Sequence, residues 1–212
     1  MSENYEMSVT EQGNPAKPTG TAGEEMLTRM NISHYDVTGW AMDFMELSGN
    51  ETVLDIGCGG GETLHRMSRK TTAHLTGMDY SPVSVKMTSE HNAEIISSGR
   101  MNVIEASVEK MPFDDNSFDR IITVESFYFW KNPPENLKEV HRVLARNGIF
   151  LIVADIHGSA KLSDKEIENI KKYNLYNPTP EEFEKLLVNA GFSDVKIHTK
   201  SGTKWICAEG RK

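Results

Sequence analysis

Thr52-Val53-Leu54-Asp55-Ile56-Gly57-Cys58-Gly59-Gly60-Gly61 is an apolar run that closes on a carboxylate and passes straight into a glycine-rich turn. An amphipathic segment, Glu62 to Lys70, follows at once, so the stretch predicts a strand, a tight turn and a helix. Glycines admit positive φ and close backbone approach, and the start of the helix presents free amide donors. In an α/β protein such a turn, at the carboxyl end of the first strand, is where a small polar ligand is held.

The same alternation continues outward. A second strand is predicted over residues 73–78, ending in Asp79, with Ser81-Pro82 capping a helix that runs to about Ser98 and stops at Gly99. Strands are predicted at 101–105, 120–124 and 149–154, with a helix from Asn132-Pro133-Pro134 to Ala145 that Asn147-Gly148 ends. Repeated strand–helix units imply an α/β fold, a mostly parallel sheet with helices on both faces. The chain finishes differently. Thr179-Pro180-Glu181-Glu182 caps a helix through Asn189, and strands at 195–199 and 204–208 are separated by a connection short enough to pair them as an antiparallel hairpin.

A chain of 212 residues with 38% hydrophobic and 25% charged residues suits a single domain. Residues 1–23 are polar, with scattered Gly and Pro, and read as a mobile leader before one domain over 24–212. The formal charge of −8 demotes nucleic acid as a partner. The two cysteines, Cys58 and Cys207, have neither disulfide nor metal spacing, and no run approaches the length of a membrane span. The expected setting is the cytoplasm. The histidines at 65, 74, 91, 141 and 198 show no ligand pattern, so no metal is expected. Oligomeric state is not legible.

The turn narrows the ligand. A dinucleotide turn wants G-x-G-x-x-G, whereas Glu62 stands here where a pyrophosphate would need the helix start. A glutamate repels two phosphates but tolerates a zwitterion. Asp55 can accept from an ammonium group, and Asp79 is placed to take both hydroxyls of a ribose. A ligand with an amino acid at one end and an unphosphorylated ribose at the other is S-adenosylmethionine.

In ordered blocks the chain resembles the class I S-adenosylmethionine-dependent methyltransferases, in particular the small-molecule group of quinone biosynthesis. The blocks are Val53 to Gly61; Gly77-Met78-Asp79-Tyr80-Ser81; Met111-Pro112-Phe113-Asp114-Asp115-Asn116-Ser117-Phe118-Asp119; and Glu139-Val140-His141-Arg142-Val143-Leu144 with Asn147-Gly148. The resemblance implies a Rossmann-like seven-stranded sheet whose last two strands form the hairpin. It also implies cofactor contacts from Asp55, Gly57, Cys58, Gly59 and Gly61 at the methionine end, and from Asp79 and Tyr80 at the ribose and adenine. Ser107, Val108 and Glu109 would border the adenine, and Glu125 would follow the fourth strand facing the ligand. Relatives commonly carry an aspartate where Ser107 stands, and the quinone group often has a histidine near Phe129-Trp130 that this chain lacks.

Methyl transfer needs collinear reactants more than it needs acid–base groups, so the absence of an obvious dyad does not count against an enzyme. His34, Tyr128 and His157 are the candidate catalytic proton handlers, with Tyr35 beside the donor. Phe127 to Trp130 supply an aromatic wall that would attract a sulfonium or a flat acceptor. A helical cap over 24–48 and a short insert over 156–178 would flank the acceptor, whose brevity favours a small molecule. A non-catalytic donor-binding module and a macromolecule methyltransferase are the rival readings; Glu62 opposes an oxidoreductase.

Overall fold

The computed structural model describes residues 7–212. Seven strands form one sheet in the order β3-β2-β1-β4-β5-β7-β6: β1 (Val53–Ile56), β2 (Leu75–Asp79), β3 (Met101–Glu105), β4 (Phe118–Val124), β5 (Leu144–Ala154), β6 (Ser193–Thr199) and β7 (Ile206–Arg211). β1 to β5 pair in parallel, and β7 runs antiparallel to both β5 and β6, as the hairpin predicts. The order reverses between β1 and β4, which opens a crevice at the carboxyl ends of those strands.

β5 shows why the sheet is covered on both sides. Phe150, Ile152 and Ala154 join one apolar cluster, while Ile149, Leu151 and Val153 join the other, because side chains alternate across a strand. The first cluster is closed by α7 (Pro133–Val143) through Leu137, Val140 and Val143, and by α9 (Pro180–Asn189) through Phe183 and Leu187. The second is closed by α3 (Tyr35–Ala41) through Val37 and Ala41, and by α4 (Glu62–Met67) through Leu64 and Met67. Each fully buried aliphatic or aromatic side chain contributes about 1.5–3 kcal/mol.

Several boundaries move from their sequence expectations. The helix expected from Ser81 to Ser98 is broken at Asn92 into α5 (Pro82–His91) and α6 (Ala93–Ser97). Asn92 is buried, takes φ −112°, and its amide donates to the carbonyls of Gly61 and Thr88. Asn147-Gly148 does not end a helix. α7 stops at Val143 and these residues lie within β5, where Asn147 takes φ 63° and the pairing with β4 shifts register. Residues 156–178 contain α8 (Asp164–Lys172), opened by a reciprocal Ser163–Glu166 cap that also receives Lys204.

The N-terminal segment is the largest departure. The part of the expected leader before Met7 lies outside the described residues. From there on the chain is built into the fold: α1 (Val9–Gly13) carries a reciprocal Ser8–Glu11 cap, and α2 (Gly20–Ser33) begins within the stretch expected to be mobile. Local composition does not order it; tertiary hydrogen bonds from the residues just after β2 do, as described next.

Candidate active site

Below α2, at the carboxyl ends of β1, β2 and β4, lies a cavity of about 350 Å³. The glycine turn forms its floor. Gly57, Gly59 and Gly61 have φ of 76°, 54° and 83°, conformations that side chains rarely adopt. A Cβ at Gly57 would come within 2.4 Å of the Ser126 hydroxyl, and one at Gly60 within 2.5 Å of Asn31 Oδ1, so the turn requires glycine for space as well as for φ. The amides of Gly57 and Cys58 both donate to the carbonyl of Met78, which welds the turn to β2.

Two acids bracket this turn. Asp55 is 1% exposed, and neither carboxylate oxygen has a hydrogen-bond partner. Burial, reinforced by the charge of Asp79, pushes it up to about 8. Asp79, 7% exposed at the end of β2, accepts from the amides of Gly59 (3.1 Å) and Ser81 (2.9 Å), and burial raises it against those donors. Every one of its hydrogen bonds comes from a neutral group. A buried carboxylate without any partner is an expensive arrangement, and a cationic ligand would relieve it. The residues therefore fit S-adenosylmethionine: Asp55 and the turn at the amino-acid end, Asp79 at the diol.

The roof comes from the N-terminal segment. Tyr80 donates its phenol hydrogen bond to the carbonyl of Ala16, and the Ser81 hydroxyl donates to Pro18 O at 2.6 Å. On α2, Asn31 Nδ2 donates to Gly60 O at 3.0 Å. Leu27, Met30, His34, Tyr35 and Thr38 complete this side of the cavity. Beyond Asp79 the wall continues through Ala106, Ser107, Val108 and Glu109, a turn in which Ser107 Oγ accepts from the Glu109 amide at 3.2 Å. That loop is anchored by Arg142, which holds Glu139 through two nitrogens (2.7 and 2.8 Å) and the carbonyls of Phe113 and Met111.

Across the cavity stand Glu125, Ser126, Phe129, Trp130 and Lys131. Glu125, 7% exposed, has φ 52°, an uncommon value for a non-glycine residue. Its Oε2 accepts from the Tyr128 hydroxyl at 2.8 Å, and its Oε1 accepts from the amide of Asp155, just past β5. Burial and then the charge of Asp155 hold Glu125 well above the usual carboxylate range. His34 is lowered by burial, and the charge of Asp155 opposes that shift.

Of the residues singled out from sequence, Tyr35, Gly57, Cys58, Gly59, Asp79, Tyr80, Ser107, Val108, Glu109, Glu125 and His34 line this cavity. Asp55 and Gly61 sit beneath it rather than on its wall, Gly61 packed against Asn92 and Thr88. Cys58 is buried among these acids and raised well above its usual range by that burial, which makes it filler rather than a nucleophile. Two expected proton handlers are displaced. Tyr128 is turned off the wall to hold Glu125, and His157 lies in a separate groove with Lys161, Lys204 and Trp205, its Nδ1 3.1 Å from Ser159 Oγ. Asp155 and Asn31 were not singled out. Nothing local marks Asp155, whose importance follows from the β4–β5 pairing; Asn31 is one helical turn before His34, a spacing that the sequence does display.

Among the described residues, no three His, Cys, Asp or Glu side chains are arranged to hold a metal ion, and no helix is long and apolar enough to cross a membrane.

Residues 54–152 match the family model described as a methyltransferase domain. The 2-methyl-6-phytyl-1,4-hydroquinone methyltransferase 1, chloroplastic, of Oryza sativa subsp. japonica is 29% identical over 154 residues, 72% of this chain and 44% of that protein. The chain thus spans less than half the length of this curated relative. The uncharacterized methyltransferase YdaC of Bacillus subtilis (strain 168) is 23% identical over 186 residues, covering 86% of this chain and 95% of that one. The solved structure of an S-adenosylmethionine-dependent methyltransferase from Aquifex aeolicus superposes with a TM-score of 0.69 at 17% identity, over 88% of this chain and 97% of that chain, and so shares the fold. The strand order, a matched domain running from β1 to β5, and relatives that agree along it lead to one assignment: residues 54–152 are a methyltransferase domain, and along it the chain is similar to S-adenosylmethionine-dependent methyltransferases.

Proposed function

We propose that the chain transfers a methyl group from S-adenosylmethionine to a small, neutral, flat or apolar acceptor, chiefly by positioning. The observation that carries this is the unpartnered, buried Asp55 carboxylate beneath a glycine turn whose other flank is Asp79. When bound, the sulfonium nucleoside would supply an already activated methyl carbon. The protein's task is to hold the ammonium at Asp55 and the turn, the diol at Asp79 and the adenine between Tyr80 and Ser107 to Glu109. Holding two reactants in line can contribute roughly 7–11 kcal/mol to the rate.

The acceptor class is supported by what faces it. Phe129 and Trp130 give an aromatic wall, and Glu62, Glu109 and Glu125 share the cavity, which disfavours an anionic acceptor. The hydroquinone acted on by the rice relative is an acceptor of this kind. Residues 156–178, with Tyr176 bonded through its amide to Tyr128 O, supply the acceptor-side insert of the single domain. The cytoplasm suits the two buried, unpaired cysteines.

The test is calorimetric binding of S-adenosylmethionine to the protein and to Asp55→Ala and Asp79→Ala, followed by a screen of phenols, quinols, thiols and amines for S-adenosylhomocysteine formation. Binding lost in both variants, with turnover of a small acceptor, is the expected result. Donor binding without turnover of any acceptor would favour a non-catalytic module, and no donor binding would overturn the reading.

A further inference from the structure

We propose that Asn136 is a specificity-determining residue for the acceptor: its side-chain amide hydrogen-bonds a hydroxyl or carbonyl oxygen of a flat acceptor that lies on Phe129 and Trp130. The inference rests on the methyltransferase reading and adds a polar group to its acceptor class.

Asn136 interrupts a regular pattern. The buried residues of α7 are Asn136, Leu137, Val140 and Val143, and positions 136, 140 and 143 fall on one stripe of the helix. Leu137, Val140 and Val143 join the apolar cluster that also holds Trp130. An apolar side chain at 136 would extend that stripe without burying a polar group. An amide stands there instead, 3% exposed, and its Nδ2 has no hydrogen-bond partner. A buried amide left unbonded is unfavourable and calls for a reason.

The cavity supplies the reason. Among the described residues, Asn136 and Ser84 are the two that both line it and carry a buried side-chain atom without a partner. Ser84 lies in the first turn of α5, on the side that Asp79 lines. Asn136 comes from the helix that follows Phe129 and Trp130 in the chain, on the wall that faces the acceptor. The other buried or half-buried polar groups of that wall are engaged. Glu125 is held by the Tyr128 hydroxyl and the Asp155 amide, and Ser126 Oγ lies 2.9 Å from Thr123 Oγ. Lys131 is exposed. A half-turn of the Asn136 amide exchanges its donor and acceptor ends, so it can donate to a carbonyl and either donate to or accept from a hydroxyl. A ring without oxygen leaves it unmatched, and a site with a buried polar group rejects such a ligand.

The experiment uses the full-length protein saturated with S-adenosylhomocysteine. Saturation-transfer magnetic resonance measures the affinities of methylhydroquinone, 3-methylphenol and toluene, a ring that loses its oxygens in turn. In wild type, affinity should fall about tenfold at the step that removes the bonded oxygen. Asn136→Leu, close in volume, should level the series to within about twofold and hold toluene at least as tightly. Its affinity for S-adenosylhomocysteine by calorimetry should be unchanged, and its melting temperature equal or higher, since the amide bonds nothing in the fold. A level series in wild type, an equally steep series in the variant, or a wild-type complex that binds none of the three rings would overturn the proposal. So would a variant that loses S-adenosylhomocysteine affinity, which would assign the amide to the nucleoside, or one that melts clearly lower, which would make it structural. All of these leave methyl transfer intact; absence of S-adenosylhomocysteine binding to wild type would instead strike the underlying reading.

Discussion

The Ser81 hydroxyl donates a 2.6 Å hydrogen bond to the carbonyl oxygen of Pro18, 63 residues away in sequence, while capping α5 through the amide of Ser84. Together with the Tyr80–Ala16 bond it fastens residues 15–18 across the end of β2, over the cavity that Asp79 lines. Tyr80→Phe removes one fastening and keeps the ring. Donor dissociation should then accelerate on the order of fivefold, the worth of one neutral hydrogen bond. Stopped-flow release of S-adenosylhomocysteine measures this, and an unchanged rate would show that the segment does not govern exit. Ser81→Ala should add a loss of about 1 kcal/mol in urea denaturation from the missing cap.

Asp55 makes the unliganded protein sensitive to pH. Its ordinary value is 3.8 and in the fold it is pushed up to about 8. Between these values the folded state holds a proton that the unfolded chain has released. The associated stability is therefore complete below about pH 4 and declines as pH rises toward 8. Asp55→Asn removes the titration, so its melting temperature should gain on that of wild type from pH 5 to pH 8. A constant difference across that range would refute the shift. Glu51 and Glu166, each held near 2 by hydrogen bonds, are common to both proteins and cancel in the comparison.

Glycine replacements separate backbone strain from crowding. Gly57 and Gly99 have nearly equal φ, 76° and 77°, so alanine at either meets the left-handed penalty of about 1–2 kcal/mol. At Gly99 nothing lies within 4 Å of the added carbon, whereas at Gly57 it meets the Ser126 hydroxyl at 2.4 Å. Gly57→Ala should lose at least about 1 kcal/mol more in chemical denaturation, and should abolish donor binding. Equal losses would mean that Ser126 simply turns away.

Arg142 ties α7 to the loop that follows β3, reaching Glu139, Asp115 and two loop carbonyls. Its side chain is about one-third exposed, so charge alone adds little, but removal strands the loop carbonyls and the Glu139 carboxylate. Arg142→Ala should lose about 2 kcal/mol of stability and weaken donor binding severalfold. Arg142→Lys, unable to fork, should recover only part of either. Thermal melts and calorimetry on both variants decide the matter.

The strand–helix grammar was readable because its signals are local. The Thr179–Glu182 and Ser81 caps form where the sequence puts them, and β3 occupies the stretch the sequence assigns to it. The glycine turn lies where the sequence puts it and Asp79 ends β2 as expected, but the two meet only because β2 pairs with β1. What escaped depends on distant partners. Residues 9–23 look too polar to order themselves, and they are ordered by Tyr80 and Ser81. Asn92 breaks a helix that its neighbours would continue, because Gly61 offers its carbonyl. Asp155 gains meaning only when β5 lies beside β4 and its amide meets Glu125. His157 looks equally well placed along the chain, yet the same pairing leaves it in the neighbouring groove.

The alternation along β5 carries a consequence for how the molecule comes apart. Neighbouring residues of one strand belong to opposite apolar layers, so neither layer can melt without dislodging the strand that supports its counterpart. Heating should therefore yield a single calorimetric peak whose van't Hoff and calorimetric enthalpies agree. A lesion such as Leu151→Ala would lower that peak as a whole rather than split it.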